Sequence, residues 1–200
     1  MRWFWIDRFT EFERGRRAVA VKNVSLVEEQ IDDYLPGFPI MPASMIIEGL
    51  AQTGGLLVSE YGGFTDRVVL AKINSARFHE LAVPGDTLTY TATIETRQTD
   101  GAIVRGTSHL QGRLQAEVEM VFAHLGERYE GFDLFHPDKL LCMMRLLGMY
   151  DVGRDENGQP IDPPAYMLEA ERVANLPGRR DAGVLDNRAP TGSKNSLPAT

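Results

Sequence analysis

The sequence YLPGFPIMPASMIIEGLAQ, from Tyr34 to Gln52, decides how the rest of this chain is organised. Three prolines in its first half disfavour regular helix there. From Ala43 onward the pattern is helical and apolar, and Gly62-Gly63 predicts the helix end. A helix of about twenty residues is near 30 Å long. Because this one is apolar nearly all round, we expect it to be buried.

Glu48 is a carboxylate among the apolar residues of this helix. An ionised carboxylate in apolar surroundings is costly unless it is paired or used chemically. The structural interpretation pairs it with Gln52, one turn on, or with an arginine from a sheet. The functional interpretation makes it part of an active site. Spacing alone leaves both open.

The same helix contains three glycines, each of which costs about 1 kcal/mol of helix propensity. They are Gly49, Gly54 and Gly55. A buried helix that keeps such residues predicts backbone packed closely against it.

Short alternating runs, typical of strands, flank the helix. One precedes it at 17–24, and the acidic segment at 24–33 is interpreted as an irregular connection. The runs that follow the helix are 67–74, 76–83, 87–96, 102–111 and 114–122. The pattern predicts an α+β fold in which one antiparallel sheet wraps around a long central helix.

Composition changes near residue 126, which divides the chain into a domain at 1–125 and a C-terminal extension at 126–200. The extension is expected to be partly helical, at about 137–150 and 166–175. Its tail, from 187 to 200, has the composition of a disordered segment.

Composition also limits the function classes. The chain has 200 residues and a formal net charge of −7, which argues against a nucleic-acid binder. The single cysteine, Cys142, excludes an intramolecular disulfide and fits a reducing compartment. No apolar run reaches transmembrane length and no signal-peptide core is present. We therefore expect a soluble, cytoplasmic protein without a membrane span.

The central stretch also matches a known motif without a gap. Residues 34–43 are followed by Glu48 and by Ala51-Gln52, and this resembles the H-F-P-G-x-P-x-M-P-G…E-x-x-A-Q motif of the β-hydroxyacyl-acyl-carrier-protein dehydratases of the FabZ/FabA type. Flanking matches lie at 6–8, 22–24, 76–78 and 83–86. The resemblance covers residues 3 to about 123 and implies the hotdog fold, followed here by the C-terminal extension.

The resemblance implies a hydro-lyase of fatty acid or polyketide biosynthesis, which removes water from a (3R)-3-hydroxyacyl thioester and forms a trans-2-enoyl thioester. In that family a His removes the α-proton, an acid helps the 3-hydroxyl leave, and backbone N–H groups polarise the thioester carbonyl. It implies Glu48 as the acid, with substrate-binding residues Pro36, Gly37, Phe38, Met41, Pro42, Ala43 and Gln52. Gly37 is interpreted as a turn glycine, as the oxyanion donor, or as both.

The family resemblance also carries expectations about partners. The substrate is an acyl-carrier-protein or coenzyme A thioester, and neither a metal nor an organic cofactor is required. The site is shared between subunits, which implies a homodimer or a trimer of dimers. Four strand arginines, Arg77, Arg97, Arg105 and Arg113, either form a basic patch for an acidic carrier protein or are simply solvated.

The sequence departs from the family at two positions, since Tyr34 replaces the His and Ala43 replaces the Gly at the helix start. Because the ordinary pKa of a tyrosine hydroxyl is near 10, on the order of one tyrosine in a thousand is ionised at pH 7. Tyr34 is thus a poor base, and it either fills the core or donates a hydrogen bond to substrate. The chain's histidines, none at motif spacing, are His79, His109, His124 and His136.

Two rival functions follow from this departure. A hotdog thioesterase needs one helix carboxylate to activate water and a backbone oxyanion hole, and Glu48 and Gly37 supply both. A non-catalytic acyl-carrier-protein binder, or a pseudo-enzyme subunit paired with a partner that carries a His, needs no base at all.

Overall fold

The computed structural model describes residues 4–125 and 135–175, with the backbone alone at 32 and 33. Its helices and strands, in chain order, are β1 Arg8–Glu13, β2 Arg17–Asn23, α1 Glu29–Tyr34, α2 Ala43–Tyr61, β3 Val68–Phe78, β4 Thr87–Gln98, β5 Gly101–Leu110, β6 Arg113–His124, α3 Pro137–Leu146, α4 Met149–Val152, β7 Gly153–Arg154 and α5 Ala165–Ala174.

The strands form one seven-stranded sheet in the order β3-β6-β5-β4-β2-β1-β7. All neighbours pair antiparallel except β7, which pairs in parallel with β1. Helix α2 packs against β2 to β6. The predicted α+β hotdog architecture, with a sheet around a long central helix, is confirmed, and its short parallel strand β7 comes from the extension.

Helix α2 buries one face against the sheet through side chains such as Ile46, Leu50 and Leu57. Tyr90 and Met120 are fully buried in the same core. A second stripe of the helix is only half-buried. The expectation of a buried helix therefore holds for the sheet-facing side, and the other side remains available for a site.

The helix glycines mark where the sheet approaches most closely. A methyl group at Gly49 would lie 2.4 Å from the Tyr90 ring and 2.9 Å from the Trp5 carbonyl oxygen. At Gly54 and Gly55 it would meet the Phe122 ring at 3.3 and 3.2 Å. The expected close approach is thus made mainly by aromatic side chains rather than by backbone.

Two local predictions were wrong. The runs at 67–74 and 76–83 form one strand, β3, because two register shifts within it absorb the break in alternation. The chain leaves the sheet after Phe78, where the His79 N–H donates to the Gln115 carbonyl at 2.8 Å. The segment interpreted as irregular contains the short helix α1.

The described part of the extension packs onto the same hydrophobic core as the preceding domain. Leu141, Met144 and Met167 are fully buried in that core. The Phe9 N–H donates to the Leu147 carbonyl at 2.8 Å, and β7 covers the β1 edge, which removes an unpaired strand edge. The predicted disordered tail at 187–200 lies outside the described residues.

A buried ion pair joins the β1–β2 turn to the end of α2. Glu60 is 2% exposed and accepts from Arg14 Nε at 2.9 Å and Nη2 at 2.5 Å. This hydrogen bond to Glu60 raises the pKa of Arg14. The Arg14 N–H also donates to the Arg154 carbonyl, so the pair lies where the extension meets the domain.

We expect Gly49→Ala to destabilise the fold by about 1–3 kcal/mol, because the new methyl group overlaps the Tyr90 ring and also lies too close to the backbone carbonyl of Trp5. Gly55→Ala is the matched control, since it gains the same helix propensity and meets one ring edge only. Urea unfolding measures both. Equal stability of the two variants would show that the helix–sheet spacing is not limited at Gly49.

Arg14→Met should lower the free energy of unfolding by about 2–3 kcal/mol, because it leaves the buried Glu60 without its cation. The loss is smaller than for a fully buried pair, because a third of the Arg14 side chain is exposed to solvent. The double variant Arg14→Met/Glu60→Leu should recover most of that loss, since an apolar pair carries no desolvation cost. Thermal and urea unfolding measure the stability of the wild type and of both variants. A double variant that is less stable than Arg14→Met would contradict this account.

Candidate functional site

The loop before α2 is a turn that exposes aromatic side chains. The Phe38 N–H donates to the Leu35 carbonyl at 2.9 Å, and Gly37 has φ +80°. Proline in the second position and a positive-φ glycine in the third are typical of a type II turn. Tyr34 is 52% and Phe38 57% exposed. Tyr34 therefore does not lie in the core of a single chain.

The loop becomes buried where it joins the helix. Ile40, Met41 and Pro42 are buried, and the Met41 N–H donates to the Ala82 carbonyl at 2.8 Å. Pro42 is the N-cap residue, and its carbonyl accepts from the N–H groups of Met45 and Ile46. Ala43 lies exposed at the first helical position. The first N–H groups of a helix lack internal partners and carry partial positive charge.

Glu48 lies about one and a half turns further along the helix and is held by Gln52. Its Oε1 accepts from Gln52 Nε2 at 3.0 Å, and Gln52 Oε1 accepts from the Trp5 N–H at 2.9 Å. The Trp5 bond orients the amide of Gln52 so that its NH₂ group faces Glu48. Within the described ranges, no lysine or arginine forms an ion pair with Glu48. The Gln52 pairing expected from spacing is thus present, and it leaves the second carboxylate oxygen available.

Glu48 opens onto an apolar cavity of about 330 Å³, a size at the lower end of small-molecule sites. The half-buried stripe of α2 forms its floor, with Glu48, Gln52, Gly55 and Ser59 at helical spacing. Its remaining walls come from the sheet, the segment before β1 and the extension, namely Val68, Leu70, Phe122, Phe4, Phe135, Met143 and Leu147. Spacing from Glu48 predicts the floor, but nothing in the sequence pattern pointed to the extension.

The expected site residues therefore divide into two groups. Glu48 and Gln52 line the cavity, whereas Pro36, Gly37, Phe38, Met41, Pro42 and Ala43, together with Tyr34, lie outside its lining within one chain. Among the described residues, no group accepts from the Gly37 N–H. The loop and the carboxylate are thus separate elements of each chain.

No histidine stands in for the missing base within a single chain. All four lie in the described ranges, and none lines the cavity beside Glu48. His79 is exposed with Nε2 3.6 Å from a Glu117 oxygen, and His124 Nδ1 lies 3.7 Å from Asp66. His109 is in β5, and His136 precedes α3.

The strand arginines are largely neutralised by neighbouring carboxylates. Arg77 and Arg105 approach Glu117, and Arg113 pairs with Glu80 at 3.0 Å. Arg97 lies 3.5 Å over the Tyr61 ring. These contacts favour the interpretation of solvated strand charges over a basic docking patch.

Metal-binding clusters and membrane-spanning helices are both absent from the described residues. No group of three or more His, Cys, Asp or Glu side chains is arranged to hold a metal ion in the ranges 4–125 and 135–175. In the same part of the chain, no helix has the length and apolar character needed to cross a membrane.

Comparison with known proteins identifies the family of this chain. The profile described as the FabA-like domain matches residues 3–123, which contain the loop, α2, β1 to β5 and all but the last residue of β6. The chain belongs to the FabA-like family. The family part supplies Glu48, Gln52 and the loop, and the extension follows it.

Relatives and solved structures agree with this family assignment. A 3-hydroxyacyl-[acyl-carrier-protein] dehydratase FabZ from Pelotomaculum thermopropionicum is 36% identical over 59% of this chain and 85% of its own. The FabZ from Symbiobacterium thermophilum is 38% identical over 59% of this chain and 84% of its own. The acetyl-CoA-bound smu.793 of Streptococcus mutans, 17% identical, covers 63% of this chain and 94% of its own with a TM-score of 0.52. AziG of S. sahachiroi, 22% identical, covers 59% of this chain and 90% of its own with a TM-score of 0.51. At these identities the two structures show the fold alone.

A double-mutant cycle on Glu48→Ala and Gln52→Ala should give a coupling free energy of about 1 kcal/mol, as expected for a half-exposed hydrogen bond to a carboxylate. Urea unfolding of the wild type, both single variants and the double variant measures it. The control cycle pairs Glu48→Ala with Ser59→Ala, which share a helix face without contact and should be additive. Additivity in both cycles would mean that Gln52 does not hold Glu48.

Proposed function

We propose that this FabA-like protein binds acyl thioesters and dehydrates 3-hydroxyacyl thioesters to trans-2-enoyl thioesters, as part of fatty acid or polyketide biosynthesis. The observation that carries the proposal is Glu48, held by Gln52 at the edge of an apolar cavity. The identity of 36–38% to curated FabZ proteins supports the reaction class. The thioester is carried by an acyl-carrier protein or by coenzyme A, in the cytoplasm, and no metal or organic cofactor takes part.

Glu48 performs both proton transfers in this proposal. Its carboxylate removes the proton from C2, and the resulting enolate oxygen is stabilised by backbone N–H groups of Gly37 and of the α2 N-terminus. The carboxylic acid then gives that proton to the 3-hydroxyl as the C3–O bond breaks. Water and the enoyl thioester leave, and the carboxylate is restored.

Tyr34 and Gln52 assist without transferring the C2 proton. Tyr34 donates a hydrogen bond to the substrate, since a neutral phenol is a donor at pH 7. Gln52 positions the carboxylate through the bond to Oε1. The remaining loop residues, Pro36, Phe38, Met41, Pro42 and Ala43, shape the entrance for the thioester.

A homodimer completes the site. β3 is an edge strand, and its apolar side chains Leu70, Ile73 and Phe78 are exposed. An exposed apolar edge is a template for pairing with another chain. In a β3-to-β3 dimer, the exposed Tyr34 and Phe38 of one chain serve the Glu48 of its partner. Association of such dimers into a trimer of dimers is compatible with this arrangement.

Glu48→Gln should lower dehydration at least about 100-fold, because general acid–base catalysis contributes that much or more. The measurement follows interconversion of a 3-hydroxyacyl thioester and its 2-enoyl counterpart by absorbance. Glu156→Gln, which removes an exposed carboxylate far along the chain, is the control and should keep full activity. Unchanged activity in Glu48→Gln would refute the assigned role.

Tyr34→His should raise the dehydration rate by roughly tenfold or more, because imidazole titrates near neutral pH and supplies the base that tyrosine lacks. Tyr61→His places the same side chain at another exposed tyrosine and should change nothing. An active wild type that gains nothing from Tyr34→His would show that position 34 is not the missing base.

A thioesterase is the second candidate, and the observation that favours it is a single carboxylate beside a cavity with no histidine in its lining. Glu48 would activate water for attack on the thioester carbonyl. Release of free thiol, followed with a thiol reagent in the same incubations, distinguishes this reaction from dehydration. If a bound thioester is neither dehydrated nor hydrolysed, the protein is a non-catalytic binder or a pseudo-enzyme subunit.

A further inference from the structure

A second cavity continues from the one beside Glu48. It has a volume of about 410 Å³ and lies between the end of α2, the segment after it and the extension. Its far wall includes Thr65, Arg67 and Tyr166. The two cavities share four lining residues, Leu56, Ser59, Val68 and Phe135. They are therefore neighbours along the same groove, with Glu48 at one end only.

The walls of this groove have two origins. Residues 3–123 match the FabA-like family, and these supply the carboxylate and the helix floor. Phe135, Met143 and Leu147 lie outside the matched range and close the cavity beside Glu48. Pro137, Leu140 and Tyr166 do the same for the second cavity. Part of the wall of each cavity is consequently made by residues outside the family match.

The extension is well anchored where it forms these walls. The Tyr166 hydroxyl donates to the Phe64 carbonyl at 2.9 Å and approaches the Gly63 carbonyl at 3.2 Å. On the other side, the Phe9 N–H holds the Leu147 carbonyl at 2.8 Å. Leu140 and Leu147 are buried. The part of the extension that lines the cavities is thus fixed to the family part at two separate places.

Phe135 is the one residue of the described extension that lines both cavities. Its side chain is 57% exposed, so it stands at the boundary of the groove and is not part of the core. The other shared residues come from α2 and β3, and Ser59 is small. On the extension side, Phe135 is thus the residue at the boundary of the two cavities.

We propose that Phe135 determines which acyl-chain lengths this protein accepts, by separating the cavity beside Glu48 from the second cavity. This rests on the proposed binding of acyl thioesters at Glu48. Chains that fit the first cavity bury all their methylenes, and longer chains meet the ring. Without the ring, the second cavity, whose walls include Phe64 and Leu140, receives the rest of the chain.

Binding of a graded series of acyl-coenzyme A thioethers, measured by titration calorimetry, tests this. These analogues carry an unreactive link in place of the thioester, so the measurement does not depend on catalysis. Each methylene that becomes buried should tighten binding by roughly fourfold. In the wild type this gain should stop at the length that fills the first cavity, and in Phe135→Ala it should continue for several more carbons.

Two further variants make the test decisive. Phe135→Trp enlarges the ring and should move the limit to shorter chains. Leu146→Ala truncates an exposed apolar side chain of α3 that lines neither cavity and should leave the limit unchanged. Thermal unfolding verifies that each variant is folded.

The outcomes separate this inference from the proposed function. A wild type that binds no analogue of any length, whether coenzyme A or an acyl-carrier protein carries the chain, overturns both. A wild type whose length limit is the same in Phe135→Ala overturns the role of Phe135 alone, as does an equal shift in Leu146→Ala. A limit that lengthens in Phe135→Ala and shortens in Phe135→Trp supports the role.

Discussion

The close contact between α2 and the sheet is the constraint on which the rest of this structure depends. At Gly49 the helix lies against the Tyr90 ring so closely that no side chain fits between them. Tyr90 is fully buried, and burial raises the pKa of its hydroxyl. Once the position and rotation of the helix are set by this contact, the opposite stripe must face away from the sheet. Glu48, which precedes Gly49, is thereby directed to the edge of the core.

This placement resolves the cost of a carboxylate on an apolar helix. Glu48 is neither fully buried nor paired with a cation in the described structure, and it is satisfied by one hydrogen bond from Gln52. Glu60, on the same helix, shows the other solution, because it is buried and paired with Arg14. One helix thus carries a structural carboxylate near its end and an accessible one near its start. Only the accessible one lies beside a cavity of small-molecule size.

The extension changes what the family scaffold offers. Its residues complete the sheet at the β1 edge, join the same core and close the groove that runs from Glu48. A site that would otherwise open along the outer stripe of α2 is bounded on that side by Phe135, Met143 and Leu147. In our proposals, the chemistry at Glu48 belongs to the family part of the chain and the selectivity for substrate length belongs to the extension. The described extension is therefore a working part of the proposed site.

The sequence by itself determined helix α2, its boundaries and the placement of Glu48 and Gln52 one turn apart on it, because helical periodicity, proline and glycine signals act locally. Through its resemblance to the family motif it also placed Tyr34 at the position of the family's His, since the motif spacing is unbroken. Only the tertiary structure decided that β3 is one strand, that Tyr34 is exposed, and that Phe135 lies between two cavities. Those facts depend on contacts between segments far apart in the chain, on which residue spacing carries no information.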